Sequence, residues 1–322
     1  MTQSSPPPSQ SAATTPRPPR VYEERTVAFI DILGFSQHVK RTQEDPAFIE
    51  RLYEALRIVQ GQGRVWASQA IGEAGTSPED VAARTAAMDF RVQVFSDCLV
   101  LSQRGRVAAA LIIGVSQLAM ALLEIDILVR GGIAQGPMYH DAAVAFGPAL
   151  IEAYQLENKC AKFPRVIVSH DVLDTARGNL VFFNARGDGT DSYFSSELLR
   201  RDTDRTCHVD FLTAAWFSPE MIIGSNADEF RRRFDRALAW AVKQYAEEKD
   251  TDVKSKFGWL IQYCHEFARY RTSRATPEFR INAPSMEDNE MEPDVSWNEG
   301  RATYFRNTAI PGHPNWKPGD PT

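Results

Sequence analysis

The chain has 322 residues, 43% hydrophobic and 24% charged, the mixture of an ordinary globular protein with room for one large domain or two small ones. A net charge of -6 and a pI near 5.6 exclude a general electrostatic pull toward nucleic acid. A polyanionic ligand would need metal ions to supply its positive charge. The four cysteines (Cys98, Cys160, Cys207 and Cys264) form no CxxC pair. That excludes a zinc ribbon or a disulfide framework and suits reduced thiols in a cytoplasmic protein.

Residues 1–20 are mainly Ser, Pro, Thr and Gln and read as a disordered N-terminal arm with no apolar signal-peptide stretch. Arg25 to Asp31 is a short apolar run, expected as a strand in the middle of a sheet and ended by Gly34. Asp45-Pro46 reads as the start of a helix running to about Val59. Residues 60–88, rich in Gly, Ala, Ser and Thr, read as an insertion. Phe90 to Ser102 predicts a hairpin turning at Ser96-Asp97, with alternation from Val92, Val94, Leu99 and Leu101. Arg106 to Ile125 predicts an apolar helix, Leu128 to Gln135 a strand, Gly147 to Lys159 a helix and Arg165 to Ser169 a strand. Val107 to Val129 is interrupted by Ser116, Gln117, Glu124 and Asp126, so no membrane span is expected there.

The order strand, helix, hairpin, helix, strand, helix, strand is that of an α+β, ferredoxin-like core with one additional element, an antiparallel-rich sheet flanked by helices. We assign that core to residues 21–180. Residues 181–274 are expected to add edge strands, at Phe182–Phe194 and Cys207–Phe217, and two helices, at Asp228–Glu248 and Ser255–Arg271, as a C-terminal helical extension. Residues 275–322 read as an acidic, partly disordered tail.

Two aspartates carry the chemical expectation. Asp31 follows four apolar residues at the end of the predicted central strand, and Asp97 sits at the tip of the adjacent hairpin. In a ferredoxin-like sheet those points are neighbours, and two carboxylates side by side repel unless a cation lies between them. Hard oxygen ligands of this kind suit Mg2+ or Mn2+. The pattern also fits a turn residue, because Ser-Asp is good turn chemistry.

The wording around the aspartates distinguishes these. Phe29-Ile-Asp31-Ile32-Leu-Gly34-Phe35-Ser36, Phe95-Ser96-Asp97, Arg130-Gly-Gly-Ile-Ala-Gln-Gly136 and Phe146-Gly147 occur in order over roughly residues 25–170. Together they resemble the class III nucleotide cyclases, and within them the bacterial pyrimidine cyclases of the Pycsar antiphage systems. The resemblance implies two Mn2+ or Mg2+ ions held by Asp31, the Ile32 carbonyl and Asp97, with Asp31 and Asp97 catalytic. It implies a nucleoside triphosphate substrate, UTP favoured over CTP, cyclised to a 3',5'-cyclic monophosphate and pyrophosphate. It also implies a homodimer with the active site between subunits, and a separate effector that senses the cyclic nucleotide during antiphage defence. Phe29 shares a strand face with Asp31, where it either lines the nucleotide pocket or serves as an ordinary core residue. Gln93 aligns with the purine-reading lysine of the superfamily, and Arg130 and Lys159 are candidates to reach phosphate.

The departures narrow the reading. Purine cyclases of the superfamily carry an Asn and, four residues on, an Arg in the helix after Phe-Gly, where this chain has Ile151 and Gln155. Another palm-type nucleotidyl transferase and a degenerate module that binds nucleotide without turnover are therefore alternatives. His140-Asp141 falls at an expected turn, and Ser36 and Ser102 have no base beside them in the sequence.

Overall fold

The computed structural model describes residues 20–58, 89–106, 108–178, 198–202, 204–217 and 225–272, with single positions among 77–88 and at 223. The described strands form one sheet and begin with β1 (Glu23–Ile32). Helices α1 (Phe35–Glu44) and α2 (Pro46–Arg57) follow, then the hairpin β2 (Arg91–Phe95) and β3 (Cys98–Arg104), helix α3 (Ala108–Glu124) and strand β4 (Val129–His140). Next come β5 (Ala145–Phe146), α4 (Pro148–Cys160), β6 (Val166–Val168) and α5 (His170–Gly178). The chain continues through β7 (Leu199–Arg201), β8 (Cys207–Val209), α6 (Phe211–Phe217), α7 (Ala227–Glu247) and α8 (Thr251–Thr272).

The sheet order is β2-β3-β1-β4-β6-β8-β7, with β5 paired to β4 off this path. β1 runs antiparallel to both β3 and β4, and β2 antiparallel to β3. That is the ferredoxin-like arrangement, reached by β1-helix-β2-β3-helix-β4. β6 then adds parallel to β4 after the α4 crossover, and β8 and β7 extend the same sheet antiparallel. The sheet, flanked by helices on both faces, is therefore α+β as the sequence order predicts.

The period-two rule splits β1 between the faces. Ala28, Ile30 and Ile32 are buried in the main apolar core with Leu99, Leu101 and α3. α3 is apolar nearly all round, as a helix must be when it is covered on most sides; α6 and α7 pack on it, and α8 packs on α6 and α7. Arg236 of α7 donates to the Leu123 and Glu124 carbonyls at the C-terminal end of α3, where carbonyls lack helical partners. Val27 and Phe29 face the other way, into a smaller cluster with Val100, Met138, Ala149 and Leu150 under α4.

Several elements differ from the sequence reading. α1 was not expected, and it has no buried residue and no side-chain cap to announce it; it opens at Gly34, whose φ is +70°. β4 runs to His140 rather than Gln135, because Gly136 at φ +150° carries the strand onward to pair with β5. α5 follows β6 directly. Only Cys207–Val209 of the expected 207–217 strand is strand: Asp210 accepts from the Thr213 amide and starts a helix at Phe211. α8 begins at Thr251, four residues earlier than expected, with the Asp250 carboxylate accepting from the Asp252 and Val253 amides. The expected 182–194 strand, the 1–19 arm and the 275–322 tail lie outside the described residues.

Candidate active site

β1, β3 and β4 are locked in one register at the end of β1: Asp31 lies opposite Cys98 on one side and Arg130 on the other. The two-residue turn Ser96-Asp97 joins β2 to β3, with Ser96 at φ +47°. That turn is docked on β1 by a 2.7 Å hydrogen bond from the Ile32 amide to the Asp97 carbonyl. The hairpin thus holds Asp97 beside the Asp31-Ile32 segment, although the two aspartates are 66 positions apart in the sequence.

Paired residues of antiparallel strands share a face. The α4 side of the sheet therefore carries the row Phe95, Cys98, Asp31, Arg130, and below it the row Gln93, Val100, Phe29, Gly132. α4 presses onto this face at Gly132, where a Cβ would stand 2.2 Å from the Ala153 carbonyl oxygen. Only glycine admits the helix so close. Tyr154 of α4 packs edge-on against Phe29, with ring centroids 5.4 Å apart. At the Phe95–Arg130 end of this face the sheet is less covered, and Phe95, Ile151 and Tyr154 are exposed apolar side chains there.

The charges are arranged around Arg130. Its Nε donates to Asp31 Oδ2 at 2.9 Å, and its Nη2 lies 2.8 Å from Glu157 Oε1. The second contact is an ion pair without hydrogen-bond alignment, which leaves Glu157 Oε1 buried with no hydrogen bond. Burial, aided by the Asp31 charge, raises the Glu157 carboxyl above its usual range against the opposing pull of Arg130. Burial, then Asp97, Asp31 and Glu157, raise the Cys98 thiol, so this thiol sits among all three carboxylates.

The sequence reading is met unevenly. Asp31, Ile32, Asp97, Phe29, Gln93 and Arg130 come to one end and one face of the sheet, with the Ile32 side chain directed to the opposite core. Lys159 lies on the exposed side of α4, outside this cluster. Gln93 Nε2 donates to the Ala143 carbonyl at 3.1 Å, while its Oε1 is buried without a hydrogen-bond partner. Glu157 was missed because a lone glutamate in an amphipathic helix reads as a solvated residue. Its i+4 relation to Ala153, which meets Gly132, was the available signal.

Ser102 does have a base beside it, contrary to the sequence reading. His140 Nδ1 is 2.7 Å from Ser102 Oγ. Register does not bring it there, since Ser102 lies across Val27 from Ala134; the end of β4 beyond Gly136 does, lying over β2 and β3, where the His140 and Ala143 carbonyls accept from Arg91 and Gln93. Both side chains are buried, and Arg25 Nε donates to the same Ser102 oxygen at 2.9 Å. Burial, reinforced by Arg25 and Arg91, pushes His140 down to about 4. With Arg25 donating to its oxygen, the Ser102 hydroxyl donates a hydrogen bond to a neutral imidazole that is a weak base and sealed from solvent, a structural network rather than a nucleophile. Asp141 is a turn residue: its carboxylate accepts from the Ala143 and Val144 amides and from Tyr139, which holds it at about 2. A cavity of about 290 Å3 lies elsewhere, between Arg165 and α8, and its Asp202 and Asp204 are already paired with Arg165.

Among the described residues no group of three or more His, Cys, Asp or Glu is placed to hold a metal. The donor set is two carboxylates and a peptide carbonyl at adjoining strand ends. Such hard oxygens fit Mg2+ or Mn2+, ions that keep several positions for water or phosphate.

No family model matches the chain, and no curated relative matches it. Among solved structures, a bacterial light-regulated adenylyl cyclase is similar over 49% of this chain with 13% identity and a TM-score of 0.33. This chain spans 46% of that one, under half its length. No helix among the described residues is long and apolar enough to cross a membrane.

Proposed function

We propose that the chain is a metal-dependent nucleotide cyclase that converts a pyrimidine nucleoside triphosphate, UTP in preference to CTP, into its 3',5'-cyclic monophosphate and pyrophosphate. The observation that carries this reading is the pair Asp31 and Arg130 at one end of the α4-side face, with the Asp97 turn docked on Ile32 beside them and Phe29 and the unpartnered Gln93 acceptor in the next row. Asp31, Asp97 and the Ile32 carbonyl would hold two divalent ions, Mn2+ or Mg2+. Bound there, the ions would activate the 3'-hydroxyl and neutralise the phosphates.

The remaining work falls to the chain itself. Phe29, backed edge-on by Tyr154, offers an aromatic surface for a base. Gln93 Oε1 is a buried acceptor awaiting a donor, and a base N–H supplies one. α4, pressed down at Gly132, walls one side of the site. In the reaction the 3'-oxygen forms a bond to the α-phosphorus while the bond from that phosphorus to the β-bridging oxygen breaks. Pyrophosphate leaves with the electron pair, and the hydroxyl proton passes to solvent. The exposed Phe95, Ile151 and Tyr154 support an active site completed by a second copy of the chain. In that reading the product is an antiphage signal read by a separate effector.

Ile151 and Gln155 favour a second reading. They are exposed on α4 where purine cyclases carry their ribose and transition-state residues, which would suit a module that binds nucleotide without turnover. Incubation of the purified chain with each of the four nucleoside triphosphates and Mn2+, followed by mass spectrometry, distinguishes these. A cyclic pyrimidine monophosphate with pyrophosphate supports the proposal. A linear or oligomeric product indicates another palm-type transferase, and bound but unaltered nucleotide indicates the non-catalytic module.

A further inference from the structure

Arg130 is shared between two carboxylates that differ sharply in surroundings. The Asp31 side chain is 21% exposed and the Glu157 side chain 5% exposed, while that of Arg130 is 29% exposed. The bond to Asp31 is aligned and that to Glu157 is not, so the guanidinium is at present oriented by Asp31. Arg130 cannot leave the site altogether, because it is the one cation paired with Glu157 among the described residues, and without it Glu157 would be an unpaired buried charge. It can turn, since a guanidinium freed from Asp31 gains an aligned, two-pronged contact with Glu157. Asp31, Asp97 and Glu157 together outnumber the one guanidinium among them, leaving a deficit of two positive charges.

We infer that Arg130 is an internal cation that holds Asp31 until a divalent ion takes that carboxylate, and that Glu157 is the anchor that then receives the guanidinium. Glu157 is thereby a positioning residue: it acts on the metal site only through Arg130. The inference rests on the metal-binding reading above and adds to it an exchange built into β4 and α4. It gives the chain a way to keep its carboxylates paired when empty without losing the arginine when loaded.

The test is calorimetric titration of the full chain with MnCl2 alone, with thermal unfolding of each variant to show that it is folded. Arg130→Met should bind Mn2+ about tenfold more tightly, the change expected on removing one positive charge roughly 6 Å from a divalent ion at water-like dielectric. Glu157→Gln should weaken binding several-fold, since Arg130 would then remain on Asp31. In the double variant the Glu157→Gln effect should shrink, because the guanidinium that Glu157 anchors is gone. Strictly additive single effects would mean two charges acting independently and would overturn the hand-over, as would an unchanged or weaker Arg130→Met. Were Arg130→Met to unfold, unchanged or tighter binding by Glu157→Gln would overturn it alone. Asp31→Asn separates the two levels. If it binds Mn2+ as the native chain does, the metal site itself is wrong and the exchange falls with it. If it abolishes binding while the Arg130 and Glu157 variants behave like the native chain, only the exchange fails.

Discussion

The two faces of the sheet obey different rules. On the α3 side, Ala28, Ile30, Ile32, Leu99 and Leu101 meet a largely apolar helix and are sealed from water. On the α4 side one helix and the β4-β5 segment cover part of the sheet, the apolar cluster is small, and the row at its end is ionic. One face spends its residues on burial and the other keeps room and charge. Stability should therefore respond mainly to the first face and chemistry mainly to the second.

The largest expected effect lies on the open face and touches activity alone. Asp31→Asn or Asp97→Asn should lower cyclase turnover by roughly a thousandfold or more, as loss of a charge made essential in the transition state does. The melting temperature should stay within a few degrees, and a parallel loss of fold would break the division between faces. Gly132→Ala tests the seam between helix and sheet. Its Cβ meets the Ala153 carbonyl, so α4 must lift, at a cost of about 3 kcal/mol by denaturant unfolding. Leu101→Ala and Val100→Ala, adjacent in β3 and facing opposite ways, give the most direct comparison. The first should cost about 3 kcal/mol and the second about 1 kcal/mol, and equal losses would show the small cluster to be as consolidated as the main core.

The pH dependence follows from His140 on the open side and His208 within the sheet. Burial first, and neighbouring arginines second, bring each down to about 4 from an ordinary 6.5. A depressed histidine stays neutral in the folded chain, while the unfolded chain binds the proton first. Their stability contribution is therefore complete above about 6.5 and is lost as pH falls toward 4, on the order of 1 to 3 kcal/mol for each. Denaturant midpoints measured from pH 7.5 down to 4.5 should fall through that window, and a flat profile would contradict the buried, neutral assignment. The smallest effect should come from Phe95→Ser: it is 58% exposed in the single chain, so stability should change by less than about 0.5 kcal/mol. Sedimentation of the same variant should show weakened self-association if a second copy covers this face.

The apolar run of β1, the alternation and Ser96-Asp97 turn of the hairpin, the Asp45-Pro46 helix start and the strongly apolar α3 are each local patterns, and their elements formed as expected. The elements that were missed lacked such patterns. α1 buries nothing, and α6 depends on the Asp210 side chain reaching the Thr213 amide. Asp31 and Asp97 were legible as candidates because each interrupts a strand pattern, and the ordered motifs around them strengthened that reading. What the sequence by itself determined was the order of the core elements, the face that Phe29 and Asp31 share, and the places of Asp31 at a strand end and Asp97 in a turn. Only the tertiary structure decided that Arg130 lies across from Asp31, that Glu157 shares it, and that His140 reaches Ser102. The first two depend on strand register and on the close approach that Gly132 allows, the third on the course of β4 beyond Gly136. Periodicity fixes which face a residue takes but carries no information about which distant residue stands opposite it.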